Sequence, residues 1–309
     1  MILALDLGGT KLAAALYTPE GEIVKKSLVY LQSRSGTEVG KLITDHIKEY
    51  STEGYKINAI GLSIPGISRI KTGTVWAPNI PGWENYPILE EIKLCVGDQV
   101  AVVVDSDRAC CILGEVWKGN AINTKDAIFI TVGTGIGAGI LVNGQILRGS
   151  NDIGGAIGWM ALDKPYQSKY IPCGCFEFYA SGDGMVRLTH EMKNTSKENE
   201  GTELANEFTT YDIFRLAESK DALAIQVVQE CIVYWGMACA NLISIFNPEK
   251  IIFGGGVFGP AKKYLDDIKK EAQKWAQPIS MTQVHFLPSA LENQAALYGA
   301  AYLALKPIK

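Results

Sequence analysis

Two segments of the chain repeat one pattern, in which a strand, a glycine-rich turn and a returning strand follow one another. The first turn is Asp6-Leu7-Gly8-Gly9-Thr10-Lys11 and the second is Gly133-Thr134-Gly135-Ile136-Gly137. A third apolar run, residues 251–253, ends in Gly254-Gly255-Gly256. Glycine turns let backbone N–H groups approach phosphate oxygens without interference from a Cβ atom. The repeat therefore predicts two related halves whose turns together hold one polyphosphate.

The order of apolar and polar residues predicts a meander of short antiparallel strands at the start of each half, followed by alternating strands and helices. In the first half we expect three strands within 2–30, strands at 57–64 and 100–104, and helices at 37–50 and 108–117. In the second half we expect a meander at 127–147, helices within 178–246 interrupted by an exposed polar loop at 193–203, strands at 250–253 and 283–287, and helices at 261–275 and 293–305.

This arrangement predicts an α/β protein of two lobes, each a mixed sheet flanked by helices. Lys118-Gly119-Asn120 interrupts the chain and is the expected boundary. The small N-terminal lobe would then comprise 1–118 with the C-terminal helix 293–309, and the large lobe would comprise 119–292. A cleft between the lobes is the expected active site, and a hinge would close it on the substrate.

Charge and cysteine content limit the kinds of protein that this chain can be. A net charge of −4 provides no basic surface, so no nucleic-acid partner is expected. The seven cysteines are odd in number and several lie in apolar runs, which favours reduced, buried thiols in a cytoplasmic protein. The apolar run 231–246 is shorter than the roughly 20 residues that span a bilayer, so we expect a buried helix and no membrane partner. The first residues show no secretory signal pattern.

Several short motifs, taken in their order and spacing, resemble the ROK family of sugar kinases and sugar-responsive repressors. The resemblance covers essentially the whole chain, and it implies the two-lobed actin-like ATPase (ribonuclease H-like) fold and a homodimer. Besides the glycine turns and Gly254-Gly255-Gly256, the motifs are Ser63-Ile64-Pro65-Gly66, Ala77-Pro78-Asn79 with Trp83, Ser106-Asp107 with Gly114-Glu115 and Trp117, Cys175-Phe176-Glu177 with Ala180-Ser181-Gly182, Asn247-Pro248-Glu249, and Tyr298-Gly299-Ala300-Ala301.

Asp107 follows a predicted buried strand and begins a predicted helix. A carboxylate there could take the proton of a sugar hydroxyl as the oxygen attacks the γ-phosphorus of ATP, and such help is worth about 10²–10⁴-fold. A helix N-cap is the competing interpretation, because Ser106 and Asp107 both favour that position. The resemblance assigns the family's catalytic aspartate to Asp107, and it places Ser106 and Pro65-Gly66 on the substrate side.

The prediction of bound ATP rests on the glycine turns. Asp6 would hold Mg²⁺, which keeps several waters and takes few carboxylates, while Gly8-Gly9-Thr10-Lys11 would form the first phosphate loop. A simple strand turn is the alternative, but it does not explain an acid inside an apolar strand. Gly133-Thr134-Gly135 would form the second loop, for which a plain hairpin is the alternative. The resemblance places Gly254-Gly255-Gly256 against adenine or ribose; a strand-to-helix turn is the alternative.

Two polar residues are candidates for sugar binding. Asn79 lies in a proline-rich loop, where its amide could bridge two sugar hydroxyls, although an asparagine in a turn is the commoner event. The family's sugar-binding asparagine matches this position. Glu177 similarly matches a sugar-contacting glutamate, and its alternative is a solvated acid at a helix start.

The chain departs from the family pattern on one side of the expected sugar pocket. Where the family usually has Gly-Glu-x-Gly-His, this chain has Gly155-Ala156-Ile157-Gly158-Trp159. A sugar hydroxyl bound there would lose charge-assisted hydrogen bonds worth about 1.5–3 kcal/mol each. We therefore expect a sugar that is substituted, or lacks a hydroxyl, at C1 or C2, with Trp159 covering an apolar face. Core packing of Trp159 is the alternative.

The family's structural zinc site is also incomplete. Its histidine is Trp159 here, and of its cysteine motif only Cys173-Gly174-Cys175 remains. A closed structural zinc site needs four ligands, so we predict no zinc.

The motifs together predict an ATP-dependent sugar kinase, glucokinase-like, that phosphorylates O6 of a hexose or hexose derivative. Asp107 would be the general base, Asp6 the Mg²⁺ carboxylate and the glycine turns the phosphate cradle. A non-catalytic sugar or nucleotide sensor is the alternative. Because the chain begins at the first phosphate loop, the DNA-binding module of the family's repressors is not expected. A carboxylate kinase of the actin-like class is a third, weaker possibility, which the loop 77–83 disfavours.

Overall fold

The computed structural model describes residues 1–195 and 207–305. The strands are β1 (Ile2–Leu7), β2 (Lys11–Tyr17), β3 (Ile23–Tyr30), β4 (Ala59–Ile64), β5 (Ile67–Arg69), β6 (Thr74–Trp76), β7 (Ala101–Ser106), β8 (Ala127–Val132), β9 (Ile136–Val142), β10 (Gln145–Ile146), β11 (Lys250–Gly254) and β12 (His285–Pro288). The helices are α1 (Gly36–Thr52), α2 (Ile88–Val96), α3 (Asp107–Lys118), α4 (Cys175–Ala180), α5 (Gly182–Thr195), α6 (Thr210–Glu218), α7 (Ala222–Phe246), α8 (Phe258–Ala261), α9 (Leu265–Gln273), α10 (Pro278–Gln283) and α11 (Ala295–Leu305).

One compact unit consists of Met1–Asn123, Ile146–Gly154 and the residues from Gln294 onward. Its sheet has the strand order β3-β2-β1-β4-β7. β1 pairs antiparallel with β2 and parallel with β4, and β4 pairs parallel with β7. Three parallel strands therefore end at the same edge of the sheet, where ligands of open α/β sheets commonly bind.

Helices cover both faces of this sheet. On one face, Leu5 of β1 is buried together with Ile43 of α1. On the other face, Ala4 is buried together with Ala300 of α11. A Cβ atom on Gly299 would lie 1.7 Å from the carbonyl oxygen of Cys110 in α3, so the backbones of α11 and α3 are in contact. This confirms that the small residues of the last helix serve close packing.

The other compact unit consists of Thr124–Gln145 and Gly155–Asn293. Its sheet has the strand order β10-β9-β8-β11-β12. β8 pairs antiparallel with β9 and parallel with β11, and β11 pairs parallel with β12. The meander followed by parallel strands repeats the first sheet, so the expected mixed sheet in each half is confirmed. The lobe boundaries expected at 118 and 292 stay a prediction.

The apolar helix α7 crosses the core of the second unit. Among the described residues it is the helix that is long and apolar enough to span a bilayer by length and composition, and 50% of that stretch is buried. Its Trp235 is buried and donates a hydrogen bond to the carbonyl of Ala180 at 3.0 Å. It ends at Asn247, which has a left-handed backbone and precedes Pro248. The expected buried helix ending at Asn247-Pro248 is confirmed.

Several local features differ from the sequence prediction. The hairpin β5–β6 was not expected, because three-residue strands are too short to show an alternating pattern. Helix α2 was not expected either. The helix expected at 261–275 is interrupted by a 3₁₀ turn, Lys262–Tyr264. Ala261 and Leu265 are buried on either side of that turn, so the apolar period continues through the break. Helix α5 continues to Thr195, and most of the loop expected at 193–203 lies outside the described residues.

Candidate functional site

Acidic and hydroxyl side chains meet where the parallel strands of the first unit end. Asp6 of β1 is paired in register with Ser63 of β4, and Ser63 is paired with Asp105 of β7. Ser106 follows in the strand, and Asp107 is the first residue of α3. The strand register thus places Asp6 and Asp107, predicted as metal carboxylate and base, at one sheet edge.

Ser106 rather than Asp107 caps α3. The Ser106 hydroxyl accepts a hydrogen bond from the backbone N–H of Ala109 at 3.3 Å. Ser106 therefore occupies the N-cap and Asp107 is the first helical residue, so the interpretation of Asp107 as the cap is wrong. The substrate role of Ser106 stays a prediction, because this hydroxyl already serves the helix.

The Asp107 carboxyl group is a weaker acid than an ordinary aspartate. Removal from solvent raises its pKa to about 6, with Asp6 and Asp105 adding like charge. Arg108 acts in the opposite direction, and its backbone N–H donates to Asp107 Oδ1 at 2.8 Å. A carboxylate with a pKa near 6 is a better proton acceptor at neutral pH than one near 4.

Asp6 is held by one hydrogen bond and lies in an otherwise apolar strand. The Ser63 hydroxyl donates to Asp6 Oδ1 at 2.7 Å. Burial raises the pKa of Asp6, and the Ser63 hydrogen bond and the charge of Lys11 partly offset this. A single carboxylate suits Mg²⁺, which retains water ligands. The residues present therefore fit the predicted ion.

The loop that carries Asn79 lies against the first glycine turn. A Cβ atom on Gly9 would be 3.3 Å from Cβ of Asn79. Trp83 anchors this loop: it is buried, donates to the carbonyl of Gly36 at 2.9 Å and stacks on Tyr86 at 4.5 Å between centroids. The exposed Asn79 therefore lies on an anchored loop, next to Gly9 of the first glycine turn.

A buried ion pair lies directly beside the candidate base. Arg148 donates to both oxygens of Asp105, at 2.9 and 2.5 Å, and Asp105 is 2% exposed. The neighbouring Arg108 guanidinium donates to the carbonyl of Gly66 at 3.0 Å. Arg148 was not predicted from the sequence. It fixes the strand end that carries Asp107.

In the second unit, Glu177 supports the second glycine turn. Its Oε2 accepts the backbone N–H of Ile136 at 2.6 Å, and a Cβ on Gly135 would lie 2.7 Å from the same oxygen. Burial raises the pKa of Glu177, whereas the Ile136 hydrogen bond and the charge of Arg187 lower it. Glu177 is in the first turn of α4 but is partly buried, so the solvated-acid interpretation is wrong. The structure joins it to Gly133-Thr134-Gly135; its sugar contact stays a prediction.

The glycines after β11 form one wall of a groove of about 230 Å³. Gly255 has a φ of +86°, and a Cβ there would lie 2.4 Å from the carbonyl oxygen of Val132. Tyr211, Lys262 and Ser289 also line the groove. The hydroxyl of Tyr211 donates to the carbonyl of Gly256 at 3.3 Å. A groove of backbone atoms beside an exposed ring suits a flat heterocycle, and Tyr211 was missed because nothing in its local sequence marks it.

The substituted positions of the family's sugar motif are not in the core. Ala156 precedes a 3₁₀ turn, Ile157–Trp159, and Trp159 is 59% exposed. Core packing of Trp159 is therefore wrong. Cys173 and Cys175 are free thiols, and the described residues contain no group of three or more His, Cys, Asp or Glu side chains placed to hold a metal. The absence of zinc stays a prediction.

Two mixed sheets, each opening with a strand, a glycine turn and a returning strand, define an α/β protein of the actin-like class. Residues 2–307 match the ROK family, and the chain belongs to that family. The fold class and the family resemblance inferred from the motifs are confirmed.

Sugar kinases and sugar repressors are both among the relatives, and a xylose repressor of Caldicellulosiruptor bescii is 25% identical, with 98% of this chain and 78% of that protein covered. A glucokinase of Halalkalibacterium halodurans is 34% identical, with 97% of this chain and 94% of that protein covered. A beta-glucoside kinase of Listeria monocytogenes is 28% identical, with 97% and 96% covered. The crystal structure of a ROK family glucokinase from Streptomyces griseus in complex with glucose and AMPPNP is 29% identical, with 98% of each chain covered and a TM-score of 0.78.

Proposed function

We propose that this protein transfers the γ-phosphoryl group of ATP to O6 of a hexose or hexose derivative, with Asp107 as general base. The chain is an ATP-dependent sugar kinase, because a glucokinase aligns with it over its whole length and a kinase of the same fold binds glucose and an ATP analogue. The choice of O6 comes from the family. The observation that supports the role of Asp107 is its place at the ends of the parallel strands, at the same sheet edge as Asp6, with the N-cap of α3 filled by Ser106.

The proposed step needs few chemical groups from the protein. The O6 hydroxyl oxygen forms a bond to the γ-phosphorus as the bond from that phosphorus to the bridging oxygen of ADP breaks, and Asp107 takes the hydroxyl proton. Asp6 would hold Mg²⁺, which neutralises charge on the phosphate oxygens when bound. Asn79 would orient the sugar from its loop beside Gly9. The groove of Gly254-Gly255-Gly256 and Tyr211 would take the adenine or ribose.

We also place the protein in the cytoplasm, as a homodimer, without a nucleic-acid or membrane partner. The seven free thiols support a reducing compartment. The burial of α7 supports the absence of a membrane span. The dimer is inferred from the family alone, and sedimentation of the purified protein would test it.

The direct test measures ADP release with a panel of hexoses and hexose derivatives. Asp107→Asn should lower kcat by about 10²–10⁴-fold and leave nucleotide binding intact. In the unsubstituted protein, kcat/KM should fall as pH drops below about 6, because the base must be ionised. Asp266→Asn is the matched control, since Asp266 is an exposed acid in the first turn of α9.

Two outcomes would contradict the proposal. An active Asp107→Asn variant would remove the assigned role of the base. Nucleotide binding without turnover of any sugar would instead support a non-catalytic sensor.

A further inference from the structure

A groove of about 340 Å³ opens on the second unit beside Trp159. Tyr166, Tyr170 and Ile171 also line it. The side chains of Trp159, Tyr166 and Ile171 are 59%, 73% and 65% exposed. A volume near the lower end of small-molecule sites, about 300–1,000 Å³, together with clustered exposed apolar side chains, is typical of a binding surface.

The base of this groove is held by a hydrogen-bonded group. The hydroxyls of Tyr170 and Tyr179 lie 2.9 Å apart, and they reach Asp163 Oδ2 at 3.1 and 3.3 Å. Tyr170 is 4% exposed, and the ring of Tyr166 meets it edge-on at 6.2 Å between centroids. The buried Tyr170 is therefore held in place, and it supports the exposed ring of Tyr166 from one side.

Trp159 links the groove to Glu177, which is a predicted sugar contact. A Cβ on Gly158 would lie 2.9 Å from Oε2 of Glu177, and Trp159 is the next residue. Gly174, which also lines the groove, packs so closely that a Cβ there would be 2.5 Å from Cα of Trp159. At Ala156 the chain presents a methyl group rather than a carboxylate. A substituent of the sugar that points toward Ala156 would therefore meet a methyl group rather than a charged carboxylate.

We propose that this groove binds the aglycone ring of a glycoside whose sugar is the phosphate acceptor. The proposal rests on the proposed kinase function and adds the substrate class. The ring would stack on Trp159 and Tyr166 with Ile171 at its edge, since flat rings with an apolar face gain most from aromatic walls. Sugar rings and aryl rings both have an apolar face that can stack on aromatic side chains. The experiment below distinguishes these two occupants of the groove.

The experiment compares kcat/KM for a free hexose, its methyl glycoside, a disaccharide and a 4-nitrophenyl glycoside of that hexose. The two-ring acceptors should exceed the methyl glycoside by about threefold to tenfold, as expected for one aromatic stacking contact. Tyr166→Ala and Ile171→Ala should each reduce that ratio. Ile279→Ala is the matched control for Ile171→Ala, because Ile279 is 68% exposed on α10 of the same unit, and it should leave the ratio unchanged. A higher kcat/KM for the disaccharide alone, relative to the methyl glycoside, would identify a sugar ring as the occupant. A higher kcat/KM for the 4-nitrophenyl glycoside alone would identify an aryl ring.

Several results would overturn the proposal while leaving the kinase function intact. Equal kcat/KM for methyl and two-ring glycosides would do so. An unchanged ratio of these kcat/KM values in Tyr166→Ala and Ile171→Ala would do so as well. A change of oligomeric state in Tyr166→Ala at an unchanged ratio would show a surface for self-association instead.

If no sugar is phosphorylated, the kinase function itself fails and the groove is decided by binding. Calorimetric titration of the same disaccharide and nitrophenyl glycoside into the protein and into Tyr166→Ala, without nucleotide, then gives the answer. Weaker binding by the variant supports the groove. Equal binding, or none, rejects it.

Discussion

Asp105 and Asp107 are two residues apart, but of the two only the Asp105 carboxylate is paired with an arginine in the described part of the chain. Asp105 is 2% exposed and is matched by both nitrogens of the Arg148 guanidinium. Asp107 forms no salt bridge within residues 1–195 and 207–305, and its pKa is raised to about 6. The first carboxylate is therefore paired within the fold, whereas ionisation of the second costs stability and provides a base.

Asp107→Asn should accordingly stabilise the protein at neutral pH. The folded-state pKa lies above the ordinary value of 3.8, so the ionised group costs about 1–3 kcal/mol at pH 7.5. This cost decreases as pH falls from about 6 toward 4, where the folded protein takes up the proton. Urea unfolding at pH 7.5 and 4.5 measures both values, with Asp266→Asn as the exposed control. A variant less stable than the parent at pH 7.5 would contradict the unpaired state of Asp107.

Asp105→Asn should have the opposite effect, because it leaves the Arg148 guanidinium without its partner. Breaking a buried pair from one side costs about 3–5 kcal/mol. Arg148→Lys keeps the charge but not the two-point contact, so its cost should be smaller. The double variant Asp105→Asn/Arg148→Gln should lose less than the sum of its single changes in urea unfolding. Additive losses would show that the two side chains act independently.

At the scale of elements, the contact between α3 and α11 depends on glycine. Gly299→Ala adds a methyl group whose carbon would lie 1.7 Å from the carbonyl oxygen of Cys110. We expect a loss of about 1–3 kcal/mol from overpacking, despite the roughly 1 kcal/mol by which alanine favours a helix. Gly259→Ala in α8 is the control, since nothing lies within 4 Å of a Cβ there. A neutral Gly299→Ala would mean that α11 can move away from α3 at no cost.

The sequence predicted the elements that have a strong period and missed those that depend on distant partners. The two meanders, the buried helix α7 and the strand ends of Asp6 and Asp107 were predictable, because glycine turns and apolar runs mark them locally. Arg148 was not, since its partner Asp105 is 43 residues away and an arginine beside a glycine turn has no special pattern. Tyr211 was missed for the same reason, because its hydroxyl meets Gly256 across 45 residues. Long-range pairings are settled by packing, which local periodicity does not report.

At the scale of the molecule, the two sheets repeat one plan but carry different chemistry. In the first unit the strand ends present Asp6, Ser63 and Asp107. In the second unit the equivalent edge presents glycines, and the polar groups come from helices, as Glu177 and Tyr211 do. The first unit thus supplies the proposed base and metal carboxylate, and the second supplies the proposed groove for the adenine or ribose.

Nucleotide binding should stabilise the protein through the groove of Gly254-Gly255-Gly256 and Tyr211. AMPPNP at about 100 times its Kd should add about 2.7 kcal/mol to the free energy of unfolding. Tyr211→Ala should weaken AMPPNP binding by about threefold to tenfold, because it removes one aromatic wall. Tyr30→Ala is the control, since Tyr30 is 61% exposed on β3 of the other unit, and Asp107→Asn should keep the full stabilisation. Calorimetric titration gives the affinities, and an unchanged Kd for Tyr211→Ala would show that the nucleotide binds elsewhere.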